Sequence, residues 1–406
     1  MEPLVTRIDT PVALAPHLPA WDALAVAARR PYCAPAWMLS WWRHAAPAGA
    51  LLRTLVLVEG DELVAIGPFY ARRTMIGPLY ELLGSSVAGR IEPLALPGRE
   101  EEAARAFTHA LSKEEPLPAA VHFHLAVRGS PWPELFRRSW PGKVRVIGGE
   151  AKRAPTVSLA GRDFDAYIAA REAKLRGKLR RHRRRLEEHG ARYRLLDTHE
   201  EVRRGLADFA RLHYGRWEDR GGSGALNPRI ERMLEDVEQE LLDDGRFRLF
   251  AIEIDGRTIS AQLFIAAGGE VGYWLGGFDP EWARYGPGNQ GVLAAVKDGL
   301  ERGERRVDLG PGAQEYKLRL ADGEDVLESL TLVTRPGRYP LARGLGLAQG
   351  ARVGLAAHVP EPVKQWLRRV HGRAARRLPL RPERGGGYPV EVAIAQSVMD
   401  RQTDQC

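Results

Sequence analysis

The most informative part of the sequence runs from residue 273 to residue 317. It contains YWLGGFDP at 273–280, YGPGNQG at 285–291 and VDLGPGAQEYK at 307–317. An apolar strand pattern ends near Phe278, a glycine-rich turn follows, and a helical pattern opens at Asn289. The first N–H groups of a helix have no intrahelical acceptor, and glycine lacks the Cβ that would keep an anion away. The pattern therefore predicts an anion-binding turn.

Upstream of this turn, the pattern changes from helical to extended. Apolar runs at 247–254, 258–266 and 271–278 are separated by Asp-Gly and Gly-Gly turns, which predicts a three-strand antiparallel meander. Downstream, we expect a helix at 289–302, a strand at 306–309, a helical stretch at 314–320 and a strand at 326–333. The turn also has the GxGxxG spacing of dinucleotide-binding proteins, but its upstream strands form hairpins and no βαβ unit, so we reject that interpretation.

Further helices and hairpins are indicated on the N-terminal side. Apolar residues at steps of four and seven within 164–186 predict one long helix, and two more helices are expected at 200–217 and 228–242. In the first third, an aromatic helical turn at 37–42 reads as a core anchor, and runs at 51–58 and 63–70 predict a hairpin. The segment VEGDELVA at 58–65 resembles IDGRTISA at 254–261, either by chance or because two related domains lie in tandem.

The length of 406 residues corresponds to two or three domains. Glycines, charges and a proline at 148–155 indicate a boundary, so we divide the chain into residues 1–150, 151–335 and a basic extension, 336–406. Two distant cysteines, Cys33 and Cys406, exclude a disulfide scaffold and a paired-cysteine zinc site. No secretory signal or long apolar run is visible, so we expect a cytoplasmic protein, with a peripheral location at the inner membrane face left open.

The net charge of +8 favours anionic partners. Residues 171–185 hold nine Lys or Arg and one acid, which predicts either a solvated basic face or a phosphate-contact surface for tRNA, a nucleotide-linked sugar or anionic lipid. Aromatic stacking residues are absent from 171–192, so single-stranded base recognition is not supported, and no DNA partner is expected. An amphipathic basic segment around Trp366 either lies on an anionic membrane or packs on the protein.

His122 and His124 fall on one face of a strand predicted at 121–127. Two polar positions on a half-exposed strand are a simpler interpretation than a metal pair, so no metal site is predicted.

Residues 273–317, together with 176–186 and the LHxxxW motif at 212–217, resemble the FemAB/CelD-like branch of the GNAT acyltransferase superfamily. The resemblance covers 160–334 and extends loosely over 31–70. CelD-type members are acetyltransferases linked to cellulose or exopolysaccharide biosynthesis. The resemblance implies an α/β fold of two tandem GNAT-like halves, with mixed, mostly antiparallel sheets flanked by helices. The working cleft would lie in or beside the second half.

The resemblance also implies roles for particular residues. Lys317 matches a lysine that lies near the acyl carbonyl in FemAB relatives, and Tyr316 stands where GNAT enzymes keep a tyrosine that protonates the leaving thiolate. Asp308 and Glu315 are candidate bases, with turn or cap residues as the alternative. The cofactor phosphates would bind at the turn, which is one residue shorter than the GNAT phosphate signature. Its candidate binding residues are Arg284, Gly286, Gly288 and Asn289.

We therefore expect an N- or O-acyltransferase that uses acyl-CoA, with acetyl-CoA first, and no metal. Its acceptor would be an amine or hydroxyl on a cell-envelope or exopolysaccharide precursor. The alternatives are an aminoacyl-tRNA-dependent transferase and a degenerate GNAT fold that only binds, as part of a polysaccharide assembly.

Overall fold

A computed structural model describes residues 4–217 and 223–345 of the chain. Within them, 13 strands form one sheet, which is flanked by helices. The strands are β1 Leu4–Ile8, β2 Leu51–Glu59, β3 Glu62–Thr74, β4 Gly77–Leu82, β5 Leu94–Ala95, β6 Ala120–Val127, β7 Arg145–Ser158, β8 Arg192–Leu196, β9 Phe247–Ile254, β10 Arg257–Ala267, β11 Glu270–Phe278, β12 Arg306–Asp308 and β13 Gly323–Val333. The helices are α1 Pro11–Leu14, α2 Leu18–Ala27, α3 Pro35–Ala45, α4 Glu100–Leu111, α5 Pro131–Ser139, α6 Phe164–Ala169, α7 Ala173–Glu188, α8 His199–Trp217, α9 Pro228–Leu241, α10 Pro287–Glu301 and α11 Glu315–Leu320.

The same order of elements occurs twice along the chain. A strand, helices and a three-strand meander are followed by a helix, a strand, a helix and a long strand, first from β1 to β7 and again from β8 to β13. In each half the last meander strand pairs in parallel with the strand after the next helix, β4 with β6 and β11 with β12. The other neighbouring strands are antiparallel. The predicted α/β class, with tandem halves and mostly antiparallel strands, is confirmed.

The halves share one sheet because their long strands are exchanged. β13 lies between β6 and β7, and β7 lies between β13 and β12. Val127 of β6 thus pairs with Leu327, and Val307 of β12 pairs with Val157. The last strand of the second half, β13, thus completes the sheet of the first half. The last strand of the first half, β7, completes the sheet of the second half.

The segment 148–155, which the sequence indicates as a boundary, lies within β7 and pairs with β13. Gly149 reflects close packing between these strands, since a Cβ there would lie 3.1 Å from the Cβ of Ser329, whereas a Cβ on Gly148 would meet no atom within 4 Å. The division at residue 150 stays a prediction. The extension is described only as far as residue 345, so the amphipathic segment around Trp366 lies outside the described residues.

The apolar stripe at 164–186 belongs to two helices, α6 and α7, so the prediction of one long helix is wrong. Arg171 lies at the break, where its guanidinium donates to the carbonyl oxygen of Leu320 at 3.1 Å. Arg176 donates to the carbonyl oxygen of Ala169 at 3.0 Å and so satisfies the end of α6. These tertiary hydrogen bonds stabilise a break that the apolar spacing does not reveal. The other predicted helices and strands agree with the structure to within about four residues at each end.

The aromatic turn at 37–42 forms part of α3 and is a core anchor, as the sequence predicts. Trp37 is fully buried, and its ring lies 5.8 Å from that of Trp274 in β11. Tyr32, just before α3, donates to the carbonyl oxygen of Gly272 at 3.0 Å. The first half therefore packs directly on the strand that carries the site described next.

Candidate active site

β11 loses its parallel neighbour partway along its length, at a divergence of the two strands that we call the wedge. The two strands pair in parallel only from Glu270 opposite Arg306 to Gly272 opposite Asp308. Beyond this point β11 continues to Phe278 without a pairing partner on that side among the described strands. The backbone polar groups on this edge of β11 therefore have no ladder partner among the described strands, and a ligand that runs along the edge could bind them.

The opposite side of the wedge is formed by the loop from Leu309 to Gln314 and by α11. Gly310 has a left-handed φ of +74°, and a Cβ there would lie 3.1 Å from the carbonyl oxygen of Tyr273. Both the backbone conformation and the close approach to β11 favour glycine at this position.

The predicted anion-binding turn lies at the end of β11. A 3₁₀ helix, Pro280–Tyr285, leads to Gly286, whose left-handed φ of +56° turns the chain into α10. This helix begins at Pro287, two residues earlier than expected, because proline suits the first helical position. The N–H groups of Gly288 and Asn289 lie in its first turn and have no intrahelical acceptor, so they can bind an anion. The guanidinium of Arg284 instead lies over the Tyr285 ring, 4.7 Å from its centroid.

The basic helix α7 lies against this turn. Gln290 donates to the carbonyl oxygen of Leu179 at 3.1 Å, and a Cβ on Gly286 would lie 3.1 Å from Nδ1 of His182. Partial burial, with Lys178 and Arg181 nearby, lowers the pKa of His182. His182 is thus a neutral hydrogen-bonding group beside the turn at neutral pH. The sequence analysis missed it because the histidine stands among arginines in a run that looks uniformly basic.

Tyr316 and Lys317 both reach Tyr273, which lines the wedge. Lys317 is only 6% exposed, and its Nζ lies 2.9 Å from the carbonyl oxygen of Pro311 and 5.8 Å from the centroid of the Tyr273 ring. Tyr316 hydrogen-bonds Tyr273. The pKa of Tyr273 is raised well above its usual range, first by burial and then by the interaction with Tyr316. Two adjacent residues of α11 therefore meet at one aromatic side chain.

Tyr273 also connects the wedge to the turn, through Gln262 of β10. The Tyr273 hydroxyl donates to Oε1 of Gln262 at 2.9 Å, and Nε2 of Gln262 lies 3.8 Å from the position that a Cβ on Gly288 would occupy. Sequence reasoning missed both residues. The available signal was a glutamine within the apolar run of β10, where a buried polar side chain needs partners.

The two candidate bases occupy different environments. Asp308 is 3% exposed and accepts hydrogen bonds from Nε and Nη2 of Arg90 at 2.6 and 3.1 Å. Its Oδ1 also accepts from the backbone N–H of Gly310 at 3.0 Å. Glu315 forms an ion pair with Arg319 on the surface of α11. Asp308 thus anchors the glycine loop and Glu315 lies on the surface of α11, and their roles as candidate bases stay predictions.

His213 of the LHxxxW motif packs against β11 and is buried. Burial lowers its pKa to about 4, and its Nε2 lies 2.6 Å from the Ser223 hydroxyl. His122 and His124 share one face of β6, as predicted, and Nδ1 of His122 lies 2.8 Å from the Thr331 hydroxyl. Within residues 4–217 and 223–345, no group of three His, Cys, Asp or Glu side chains is placed to hold a metal.

Comparison with known proteins identifies the second half. Residues 173–318 match the family model of the acetyltransferase (GNAT) domain. This range contains the turn, the wedge and Lys317, so the chain carries an acyltransferase domain of the GNAT superfamily. A comparison with curated proteins finds no significant match.

Solved structures show the same fold over most of the chain. FemX is 12% identical with a TM-score of 0.59, and the similarity covers 84% of this chain and 100% of that one. The C-terminal domain (DUF2156) of a proposed lysylphosphatidylglycerol synthetase from Agrobacterium fabrum is 10% identical, with a TM-score of 0.52 and coverage of 81% and 94%. A conserved protein of unknown function from Bacteroides thetaiotaomicron is 11% identical, with a TM-score of 0.51 and coverage of 81% and 99%. The fold is therefore FemAB-like, while none of these matches is specific to the CelD type.

Proposed function

We propose that the protein transfers an acyl group from acyl-CoA, with acetyl-CoA the first candidate, to an amine or hydroxyl of a cell-envelope or exopolysaccharide precursor. The observation that carries this proposal is the continuous arrangement of the turn, the open edge of β11 and the Tyr316–Lys317 pair. The CelD-like acceptor class rests on the sequence resemblance. Our division into residues 1–150, 151–335 and 336–406, and the cytoplasmic location with peripheral membrane binding, stay predictions. All helices within the described residues are too short or too polar to span a bilayer.

In the proposed complex, the donor pyrophosphate lies at the N–H groups of Gly288 and Asn289. Glycine at 286 and 288 leaves room for the phosphates, and the positive end of the α10 dipole favours their charge. The rest of the donor would follow the open edge of β11 into the wedge, where unpaired backbone groups can bind it as an added strand does.

The proposed chemistry uses the two residues that meet at Tyr273. The acceptor nitrogen or oxygen attacks the thioester carbonyl, the C–S bond breaks, and the thiolate takes up a proton. Lys317 would stabilise the negative charge on the carbonyl oxygen, and Tyr316 would supply the proton. As the nucleophile attacks, the acceptor proton would pass to solvent water or to one of the predicted bases, Asp308 and Glu315, each of which is held in an ion pair in the free protein.

A thermal-shift survey of acetyl-CoA, longer acyl-CoAs and charged tRNA tests the donor class. A true ligand raises the melting temperature by mass action, and the stabilisation grows with the logarithm of its concentration above Kd. Stabilisation by acyl-CoA alone supports the proposal, and stabilisation by charged tRNA alone contradicts it. Donor binding without transfer to any acceptor would favour a fold that only binds.

Gly288→Val should weaken acyl-CoA binding. A single Cβ at this position would lie 3.4 Å from Phe278, an ordinary contact, so the fold should tolerate it. The extra methyl groups of valine would occupy the space of the phosphates, and lost hydrogen bonds should cost about 1–3 kcal/mol of binding free energy. Isothermal titration calorimetry measures this change.

Gly215→Val is the matched control, because a Cβ on Gly215 of α8 meets no atom within 4 Å. It should leave donor affinity as in the wild type. If the folded Gly288→Val protein binds acyl-CoA with unchanged affinity, the turn is only a connection between β11 and α10.

An aminoacyl-tRNA donor is the second candidate, and α7 is the observation that favours it. Arg183 and Arg184 pair with Glu187 and Glu188, whereas Arg180 and Arg181 make no ion pair within the described residues. These two cations lie on the helix that contacts the turn, so a polyanion could reach both.

If tRNA is the donor, Arg180→Glu/Arg181→Glu should weaken its binding and flatten the dependence of the affinity on salt, because fewer counterions are released. Filter binding across a range of salt concentrations measures both effects. Arg137→Glu/Arg138→Glu on α5 makes the same charge change in the other half and should have little effect. Equal tRNA binding by both double variants would make α7 a solvated face.

A further inference from the structure

A second charged depression lies at the other end of β11, away from the proposed donor site. It has a volume of about 430 Å³ and lies between the end of α2, the end of β7 and the starts of β11 and β12. We call it the diglycine pocket, after the Gly268-Gly269 turn beside it. Its polar lining residues are Arg29, Arg30, Ser158, Glu270, Arg305 and Arg306.

The diglycine pocket carries excess positive charge. Arg306 is neutralised by Glu270, whose two carboxylate oxygens lie 3.1 and 2.9 Å from its Nε, and Arg30 pairs with Glu92 at 2.8 Å. The guanidinium groups of Arg29 and Arg305 make no ion pair or hydrogen bond within the described part of the chain. Two uncompensated cations therefore line one depression.

Both uncompensated arginines pack on the same turn. A Cβ on Gly268 would lie 2.0 Å from the carbonyl oxygen of Val26 and 3.2 Å from Cγ of Arg29. A Cβ on Gly269 would lie 3.0 Å from Cγ of Arg305. The missing side chains thus allow the end of α2 and both arginine stems to approach the turn closely.

The backbone at Arg29 is also unusual. Its φ of +56° lies in the left-handed region, which costs free energy for a residue with a Cβ. This conformation occurs where the end of α2 approaches Gly268, and it places the stem of Arg29 beside the turn. The guanidinium groups of Arg29 and Arg305 themselves are exposed to solvent, where a ligand can reach them.

We propose that the diglycine pocket binds a phosphate monoester. The double negative charge of such a group matches the two uncompensated cations, and guanidinium groups bind phosphate oxygens in pairs. The volume exceeds that of a phosphate group alone, so the ligand carries an organic part, to which the Ser158 hydroxyl and the Glu270 carboxylate offer hydrogen bonds. The site is separate from the proposed donor turn and does not depend on acyl transfer.

Titration calorimetry with glycerol 3-phosphate tests this proposal, with glycerol as the uncharged comparison. The wild type should bind the phosphate ester and not glycerol. Arg29→Gln/Arg305→Gln should weaken binding at least about tenfold, because charge-assisted hydrogen bonds are lost. Arg29→Lys/Arg305→Lys keeps the charge without the paired geometry and should bind between the two. Vesicles with and without phosphatidic acid show whether the monoester is a lipid headgroup or a soluble molecule.

Two control variants distinguish binding in the diglycine pocket from binding at the proposed donor site. Arg180→Gln/Arg181→Gln removes the same charge from α7, and Gly288→Val blocks the turn, so both should bind glycerol 3-phosphate like the wild type. The proposal is overturned if the wild type binds no phosphate monoester in solution or on vesicles. It is also overturned if binding is lost in Gly288→Val and kept in Arg29→Gln/Arg305→Gln.

Discussion

Lys317→Met should lower the rate of acyl transfer about 10²–10³-fold while leaving donor affinity little changed. Methionine keeps the length of the side chain and removes its charge, so the loss reports electrostatic stabilisation of the oxyanion. Such stabilisation requires a cation that is held in place before the reaction begins. Lys317 meets this requirement, because it is 6% exposed and its Nζ lies 2.9 Å from the carbonyl oxygen of Pro311.

The measurement is the steady-state release of CoA with an acceptor found by screening amines and sugar hydroxyls. Lys297→Met is the matched control, since Lys297 pairs with Glu301 on the surface of α10 and should keep wild-type turnover. Thermal unfolding confirms that each variant is folded. Wild-type turnover in Lys317→Met would remove this residue from the mechanism. The oxyanion would then be assigned to the backbone N–H groups along the open edge of β11.

Arg90→Met should cost about 3–5 kcal/mol of unfolding free energy, because it leaves the buried carboxylate of Asp308 without its cation. Arg90 is 5% exposed and pairs with Asp308 and Asp325, each at 2.6 Å. Urea unfolding at neutral pH measures the loss. Arg99→Met removes a partly exposed arginine that pairs with Glu102 and Glu59 near the surface, and it should change stability little. A loss as small as that of the control would mean that water replaces Arg90 at these carboxylates.

The destabilisation by Arg90→Met should shrink in acid. Burial alone would raise the pKa of Asp325, but the charges of Arg90 and Arg306 outweigh it and hold this pKa below its usual range. The stability from this carboxylate is therefore present above its unfolded pKa of about 3.9 and lost as the pH falls through the lower folded value. The unfolding free energies of wild type and variant should converge over that interval. A constant difference down to the lowest pH would exclude this linkage.

Local signals in the sequence predict most of the second half. The Asp255-Gly256 turn defines a hairpin, and the glycines after β11 predict the chain reversal into α10, because both features depend on neighbouring residues. Tyr316 and Lys317 were found through the resemblance of their stretch to known acyltransferases. The resemblance covers Tyr273 as well, but it does not indicate that this residue contacts both Tyr316 and Lys317.

The missed features depend on contacts between distant parts of the chain. Arg90 lies in an irregular segment of the first half and meets Asp308 only after the whole sheet has formed, so no spacing rule connects them. The break between α6 and α7 is hidden because the apolar residues on both sides keep a helical period. His182 and Gln262 acquire their places near the turn through packing between α7, β10 and α10.

The exchange of β7 and β13 has a consequence for how the polypeptide reaches this structure during synthesis. The ribosome synthesises β6 well before β13. The edge of β6 that contains Val127 therefore stays unpaired until Leu327 and the rest of β13 have been made. Until then β6 and β7 expose unsatisfied edges, which are the surfaces on which nascent chains associate wrongly. Pairings this far apart in sequence also make folding slow, since loop closure precedes any gain from contact. We therefore expect the two halves to fold together, after β13 has been translated. Until that strand inserts into the sheet, nascent chains should depend on chaperones.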